Sequence, residues 1–455
     1  MATTTASAER YAATRPRSKA LWERSLKVAR GVHHDSRWML PFPIYTSRAS
    51  GSRKWDVDGH EYIDYTMGHG SLMFGHAHPS LVEVVTEQTA RGTHYGTENE
   101  YALEWAELVT KLIPAAEKVE FVSTGTEADM MIAQLARAFT GRHKIVKFAE
   151  HFFGWSDDLL VGTMPPYDKP VAGRLPPVVP GAVSNATVVI PVNDADALER
   201  ALSTRDVAAL YIEGGGAHCG AIGVPPALWQ TARELTKAYG TLLVIDEVIT
   251  GFRWSPGGCQ AVVGVTPDLS SLGKMVSGGL PGAAVVGRAD VMELLEIKPG
   301  NAEWNRYRRV VHPGTWNANP LCAAAGVRML SMASSGEPQR RAEALAGRLV
   351  AGMNEQIAAR GVEACAYNAS SSLHLHFGKC QKCDRTLCLD ATKKSSPAAT
   401  AAIDLHLLLN GVNILRGGVG WVSAVHSGED IQQTVEAFGR ALDGMIEEGA
   451  LERAT

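Results

Sequence analysis

"KVEFVSTGTEADMMIAQLARAFTG", residues 118–141, reads as a strand that runs into a glycine-containing turn and then into a helix. In the helical half, Ala128, Met131, Ile132, Leu135, Ala136 and Phe139 recur at three- and four-residue spacing and predict one apolar face. Five further apolar runs follow it: "KIVKF" (144–148), "ATVVI" (186–190), "VAALYIEG" (207–214), "TLLVIDEV" (241–248) and "GAAVVG" (282–287). Each has the length and the continuous apolar character of a strand buried on both faces, and helical patterns lie between them. This alternation predicts an α/β fold with a mostly parallel sheet covered by helices on both sides.

The alternating pattern spans about residues 75–325 and defines a large domain. Before it, "SRKWDVDGHEYIDYT" (52–66) predicts a hairpin turning at Asp58-Gly59. After it, "RRAEALAGRLVAGMNEQIAA" and "IQQTVEAFGRALDGMIEEG" predict helices, with strands between. Residues 26–74 and 326–455 are therefore expected to form a second, smaller α+β domain. Residues 1–25 hold few acids and no apolar core, and are expected to be a flexible tail rather than a signal peptide.

The chain has 455 residues and a net charge of -4, which speaks against a nucleic-acid-binding surface. No apolar run is long enough to span a bilayer. Seven cysteines spread over such a length do not suggest a disulfide scaffold, and fit a reducing cytosol. No G-x-G-x-x-G or G-x-x-x-x-G-K-[ST] is present to bind a dinucleotide or a nucleoside triphosphate. Cys380, Cys383 and Cys388 with His374 and His376 contain one C-x-x-C but lack a second, so a surface loop is expected there and no metal.

Three features carry chemistry. Thr124-x-x-Glu127 has capping-box form, and the N–H groups of that helix start, with the Thr124 and Thr126 hydroxyls, would suit a phosphate. Taken alone, such a box is usually only a cap. Asp246 ends an apolar strand, where open α/β sheets bind ligands, and can pair with a cationic ring nitrogen or cap the next element. Lys274 follows 28 residues later at another strand–loop junction, alone among glycines and apolar residues. A lone ammonium there is costly unless it is exposed, paired, or consumed as an imine.

"STGTEA", the "IDEV" aspartate and "LGK", in this order and spacing, resemble class III, fold-type I aminotransferases that use pyridoxal 5′-phosphate (PLP). "WDVDGHEYIDYTMGHGSLMFGHAHPSL", "ARAFTGRHKIVKF", "DEVITGFR" and "HPGTWNANPLCAAAG" are most similar to glutamate-1-semialdehyde aminomutases and to the aminotransferases close to them. The resemblance covers about residues 30–445. It implies a large domain with a mostly parallel mixed sheet and a smaller domain built from both chain ends. Lys274 would form the imine and move the proton. Asp246 would hold the ring nitrogen protonated. Ser123, Gly125 and Thr126 would bind the phosphate, with Thr315 reaching it from the neighbouring subunit of a homodimer. Val248 and Phe152 would pack on the two ring faces, and Glu213 and His218 would lie at its edge.

Several positions depart from the mutases. Phe152 stands where the family has tyrosine, and Phe153 where it has histidine. The loop "VGTMPPYDKPVAGRLPPVVPG" (161–181) lacks the small residues of a gating loop. Glu213-Gly214 replaces Glu-Pro, and His218 replaces an asparagine near the phenolic oxygen. An acidic residue is missing near Gly418. A mutase has to close over its intermediate, so these losses favour ordinary transamination between an amino acid and a 2-oxo acid. A mutase or a racemase would use the same lysine, and a catalytically silent protein of this fold would not keep it. Arg37 aligns with the arginine that binds the substrate carboxylate, and Arg416 is a second candidate for that role. Trp38, Phe42, Phe152, Phe153, Trp155 and Trp316 suggest an aryl pocket, with Trp38 and Phe153 against substrate, although any one of them equally serves packing. Relatives of this kind act on aryl amino acids, including D-arylglycines and β-amino acids.

Overall fold

The computed structural model describes residues 5–163, 186–379 and 395–453, together with two short strands at Lys382–Cys383 and Thr386–Leu387. The chain forms two units, one of Met1–Pro79 with Glu337–Thr455 and one of Ser80–Gly336.

The first unit begins with helices Ala6–Thr14 and Pro16–Val28, so the segment expected as a flexible tail is ordered from Thr5 onward. The reason is a short apolar stripe that the polar composition conceals. Tyr11, flanked by Ala8 and Ala12, is buried with Phe42, Tyr62, Leu405 and Leu408. Arg15 is buried beside them and its Nε donates to the Tyr62 hydroxyl at 3.0 Å. Phe42 thus belongs to this core. Strands β1 (Thr46–Ser50), β2 (Arg53–Asp56) and β3 (Glu61–Asp64) form an antiparallel meander, joined in parallel by β15 (Val412–Asn413). Gly59 makes the β2–β3 turn possible with a φ of +94°. A second sheet holds β11 (Ala364–Ala369), β12 (Ser372–Phe377) and β16 (Val419–Trp421), all antiparallel. Helices Glu337–Arg360 and Gly428–Glu447 cover this unit's core through Leu349, Met353, Val435, Phe438 and Leu442.

His374 and His376 lie buried on β12, while the side chains of Cys380, Cys383 and Cys388 fall outside the described residues. Among the described residues no group of three metal-ligating side chains comes together. Cys365 on β11 is disulfide-bonded, which the spread of cysteines did not foretell, whereas Cys219, Cys259 and Cys322 are free. No helix among the described residues is long and apolar enough to cross a membrane.

The second unit is built on a seven-stranded sheet in the order β4-β10-β9-β8-β7-β5-β6. Its strands are β4 (Lys118–Val122), β5 (Lys144–Phe148), β6 (Thr187–Ile190), β7 (Val207–Glu213), β8 (Leu242–Glu247), β9 (Leu269–Leu272) and β10 (Ala283–Gly287). β6, β5, β7, β8 and β9 run parallel, and β10 is antiparallel to both β9 and β4. One face carries Tyr211, Val244, Leu269 and Val285 against Ala128, Met131, Ile132, Leu135 and Ala136 of helix Gly125–Thr140. The other carries Leu210, Leu243 and Ile245 against Leu228, Trp229 and Ala232 of helix Pro226–Tyr239. Phe139, expected on the inner face, is partly exposed, with the Arg288 guanidinium 5.6 Å from its ring. It lies in the helix's last turn.

Candidate active site

The parallel strands end along one edge of the sheet, and that edge gathers the predicted residues. Ser123 follows β4, Phe152 follows β5, Glu213 closes β7, Asp246 is the penultimate residue of β8, and Lys274 comes two residues after β9. Ligands of open α/β sheets bind at such carboxyl ends.

The turn after β4 is a capping box. The Thr124 hydroxyl accepts from the Glu127 N–H at 3.2 Å, and Glu127 Oε2 accepts from the N–H groups of Ser123 (2.7 Å) and Thr124 (3.1 Å). Ser123 and Thr124 thereby spend their backbone donors on the cap, and Thr124 spends its hydroxyl oxygen too. The N–H groups of Gly125 and Thr126 remain at the helix start, where the helix dipole favours an anion. A Cβ on Gly125 would meet Val248 at 2.8 Å, so only glycine lets the helix start approach β8's loop this closely. A Cβ on Gly273 would likewise meet Val248 at 2.9 Å. Val248 is thus clasped between the phosphate-type turn and the residue before Lys274.

Asp246 is buried, and its Oδ1 accepts from the Val248 N–H at 2.7 Å. Burial pushes its carboxyl above the usual range. Lys274 has a φ of +50°, a backbone conformation unusual for a lysine. Burial depresses its ammonium, which the nearby Cys219, Asp246 and Glu213 partly oppose. The loop that carries it is held from below. Trp105 stacks on Phe121, with centroids 3.8 Å apart, and its Nε1 donates to the Val276 carbonyl at 2.8 Å.

Glu213 fastens two loops. Its Oε2 accepts from the Phe152 N–H at 3.1 Å and its Oε1 from the Cys219 N–H at 3.0 Å. Burial, with Asp246 nearby, raises its carboxyl to about 7. His218 Nε2 lies 3.0 Å from Glu150 Oε2, so the histidine in the asparagine's place has a buried carboxylate for a partner. Phe152 exposes its ring and Trp155 is largely exposed.

Phe153, expected against substrate, is turned into the core. It is fully buried against the Tyr211 ring, 5.3 Å between centroids, and under the Lys147 ammonium at 5.1 Å. Phe152 turns outward instead, with its N–H held by Glu213. Thr315 and Trp316 are exposed, and Thr315 lines a cavity of about 350 Å³ with Ser123, Glu127, His312 and Asn317. In the first unit, Arg37 closes a single helical turn at Asp35–Arg37, and Trp38 follows it. The Arg416 guanidinium lies 5.0 Å from the Trp38 ring, so both candidate arginines neighbour one indole. Most of the loop 161–181 lies outside the described residues.

Sequence reasoning passed over Asp129, Glu150, Trp105 and Glu247. Glu247 is buried and accepts from the N–H groups of Cys259 and Gln260 and from the Thr250 hydroxyl, fixing the loop behind Asp246. Asp129 had a signal: it stands three, four and seven residues before Ile132, Ala133 and Ala136, all buried.

The family model for Aminotransferase class-III matches residues 35–363. The chain belongs to the class-III aminotransferases. It is 35% identical over 433 residues to the glutamate-1-semialdehyde 2,1-aminomutase of Methanopyrus kandleri, covering 94% of this chain and 97% of that one. Among solved structures, an omega-transaminase from Sphaerobacter thermophilus matches with a TM-score of 0.84 at 33% identity, over 94% of this chain and 97% of the other. A beta-phenylalanine aminotransferase from Variovorax paradoxus matches with a TM-score of 0.83 at 27% identity, over 99% and 98%. This class-III aminotransferase is a PLP-dependent enzyme with the PLP fold-type I architecture.

The residues fit that cofactor. Gly125 lets the helix start press against Val248, two helix-start N–H groups are unspent, and an amine of depressed basicity shares the edge with a buried carboxylate.

Proposed function

We propose that this class-III aminotransferase moves an amino group from an amino acid with an aryl side chain, a D-arylglycine or β-aryl β-amino acid among them, to a 2-oxo acid. The observation that carries the aryl reading is Phe152. Its ring is exposed on the loop after β5 while its backbone is pinned by Glu213, so an apolar surface is presented in a fixed place. The likeness to a beta-phenylalanine aminotransferase supports the same substrate class.

The assigned roles follow from chemistry and position. Bound PLP supplies an electron sink for the carbon that gives up its proton. Lys274 Nζ would take that proton and return it, a task suited to an amine whose burial favours the neutral form. Asp246 would face the ring nitrogen and keep it protonated. Gly125 and Thr126 N–H groups, with the Ser123 and Thr126 hydroxyls, would hold the phosphate. Val248 would pack on one ring face and Phe152 on the other, with Glu213 and His218 at the edge. In a homodimer Thr315, which is exposed, would reach the phosphate of the neighbouring subunit. Arg37 or Arg416 would take the donor's carboxylate, with Trp38 beside it.

The second reading is an aminomutase, favoured by relatives of that name at 35% identity. A panel of amino donors with and without a 2-oxo acid, read by cofactor absorbance and chiral product analysis, separates the two. Transamination needs the acceptor and yields a new amino acid. Turnover of glutamate 1-semialdehyde with no acceptor would establish the mutase, and inversion of the donor alone a racemase.

A further inference from the structure

We propose that Asp129 is a positioning residue that shares one proton with Asp246, keeping the two carboxyl groups at a single negative charge beneath the place assigned to the ring nitrogen. The inference rests on that assignment and extends it to a residue with no role so far.

Strand registry brings the groups to one level. Tyr211 pairs with Val244 and Val244 with Leu269; two residues nearer the carboxyl edge, Glu213 pairs with Asp246 and Asp246 with Ser271. Side chains two residues apart share a face of the sheet. Asp246 and Ser271 therefore lie on the face of Val244 and Leu269, which is the face covered by helix Gly125–Thr140. Asp129 belongs to that helix and is almost wholly buried. The Tyr211 hydroxyl donates to the Asp129 carbonyl at 3.0 Å, which ties the helix to this face at this level. The Asp129 carboxyl lies against the Asp246 carboxyl and the Ser271 hydroxyl, yet Asp129 Oδ1 and Ser271 Oγ make no hydrogen bond of ordinary geometry. Such orphaned polar atoms are rare in a core and call for a reason.

Two carboxylates cannot both stay charged in an apolar layer, since one charge opposes the ionisation of the other. Burial holds Asp129 well above the usual carboxylate range, and the charge of Asp246 raises it further. The other titratable groups that act with the pair are Glu213 and Tyr211 on β7, Lys147 on β5 and Lys274 after β9; Glu213, beside Asp246, is itself raised to about 7 by burial and by the Asp246 charge. The two lysines are themselves depressed by burial, so neither offers Asp129 a strong counter-charge. Asp129 accordingly keeps the proton and Asp246 the charge. One negative charge, held on Asp246 while Asp129 holds the pair's proton, matches the single positive charge of a protonated ring nitrogen, whereas two would over-bind it.

The test is infrared difference spectroscopy on the holoenzyme at neutral pH, wild type against Asp129→Asn, with Asp129→Ser as a second variant. One carbonyl band of a protonated carboxylic acid is expected in wild type and lost in both variants, while the Glu213 contribution persists in all three and cancels in the difference. On raising the pH the band should disappear, and in Asp246→Asn it should disappear at least one pH unit lower than in wild type, because the negative charge that held the proton on Asp129 is gone. An identical spectrum in wild type and both variants overturns the proposal, as does a band whose titration ignores Asp246→Asn. The two layers separate cleanly. Visible cofactor absorbance without the band sinks the shared proton alone, and the band without any cofactor absorbance supports the shared proton and sinks the placement of the ring above it.

Discussion

The Phe152 N–H donates to Glu213 Oε2 at 3.1 Å, so the last residue of β7 holds the loop that follows β5. The other oxygen, Oε1, holds Cys219 on the loop after β7 itself. One carboxyl group thus sets the spacing between the aromatic ring assigned to the cofactor face and the thiol nearest Lys274.

Glu213 gives the first prediction. Burial raises its carboxyl from 4.5 to about 7, so the folded state binds its proton more tightly than the unfolded chain does. The stability linked to that proton is present below about pH 4.5 and is lost as pH rises to about 7. The full loss is about 3 kcal/mol. Glu213→Gln removes the titration while giving up one of two acceptors. Relative to wild type, the variant should gain stability between pH 5 and pH 8 in denaturant melts of the cofactor-free protein. A stability difference that stays flat across that range would show that Glu213 does not titrate there.

Lys274→Ala should abolish the absorption band of the lysine-linked cofactor together with turnover, because Nζ supplies both the covalent link and the proton path. The cradle at Gly125 and Thr126 is untouched, so cofactor should still co-purify, released by denaturation and measured by its fluorescence. Normal turnover in this variant would remove the site assignment.

Asp246→Asn keeps the side chain's shape and its acceptor toward the Val248 N–H, but loses the charge. If that charge sustains a protonated ring nitrogen, the rate of proton abstraction should fall on the order of a hundredfold or more. Single-turnover absorbance changes with a donor measure it directly. A near-normal rate would reduce Asp246 to a cap for the loop at Val248.

Trp105 is expected to matter to Lys274 without touching the chemistry. Trp105→Ala empties a fully buried site and should cost about 3–5 kcal/mol. Trp105→Phe keeps a ring on Phe121 but leaves the Val276 carbonyl without its donor, at about 1–3 kcal/mol. Both are read by denaturation. The Phe variant should also lower turnover more than it lowers cofactor content, since the freed carbonyl lies two residues from Lys274.

The strands that flank this site were legible because each is a continuous apolar run, and Asp246 and Lys274 stood out as single charges against that background. β9 was harder to see. Its sequence, Leu-Ser-Ser-Leu, is polar at the centre, yet all four residues are buried, because Ser270 and Ser271 sit between β8 and β10 on either face. The ordered N-terminus escaped notice since its anchor is one tyrosine whose partners are distant in sequence. The inward turn of Phe153 was hidden for a related reason. A run of two phenylalanines does not say which one turns inward, and that choice is made by the Tyr211 ring and by the hydrogen bond that fixes Phe152. Glu150 and His218 met only once the loops after β5 and β7 were placed side by side.

The substrate end supplies the last prediction. Arg37 and Arg416 are both exposed and both neighbour Trp38, and a guanidinium paired with a donor's carboxylate makes a charge-assisted contact. If Arg37 makes that contact, Arg37→Ala should lower kcat/KM for amino-acid donors by about 2–3 kcal/mol, which is tens- to about a hundredfold, mainly through KM. Amines that carry no carboxylate never made the contact and should be almost unaffected. The contrast is what decides, since a general folding defect would lower both donor types alike. An acid-selective loss in Arg416→Ala, with Arg37→Ala near normal, moves the role to Arg416. That outcome carries a further expectation, because Arg416 lies over the Trp38 ring: Trp38→Ala would then loosen the guanidinium and raise KM for the same acids, while Trp38→Phe, which keeps an aromatic face, would restore most of it.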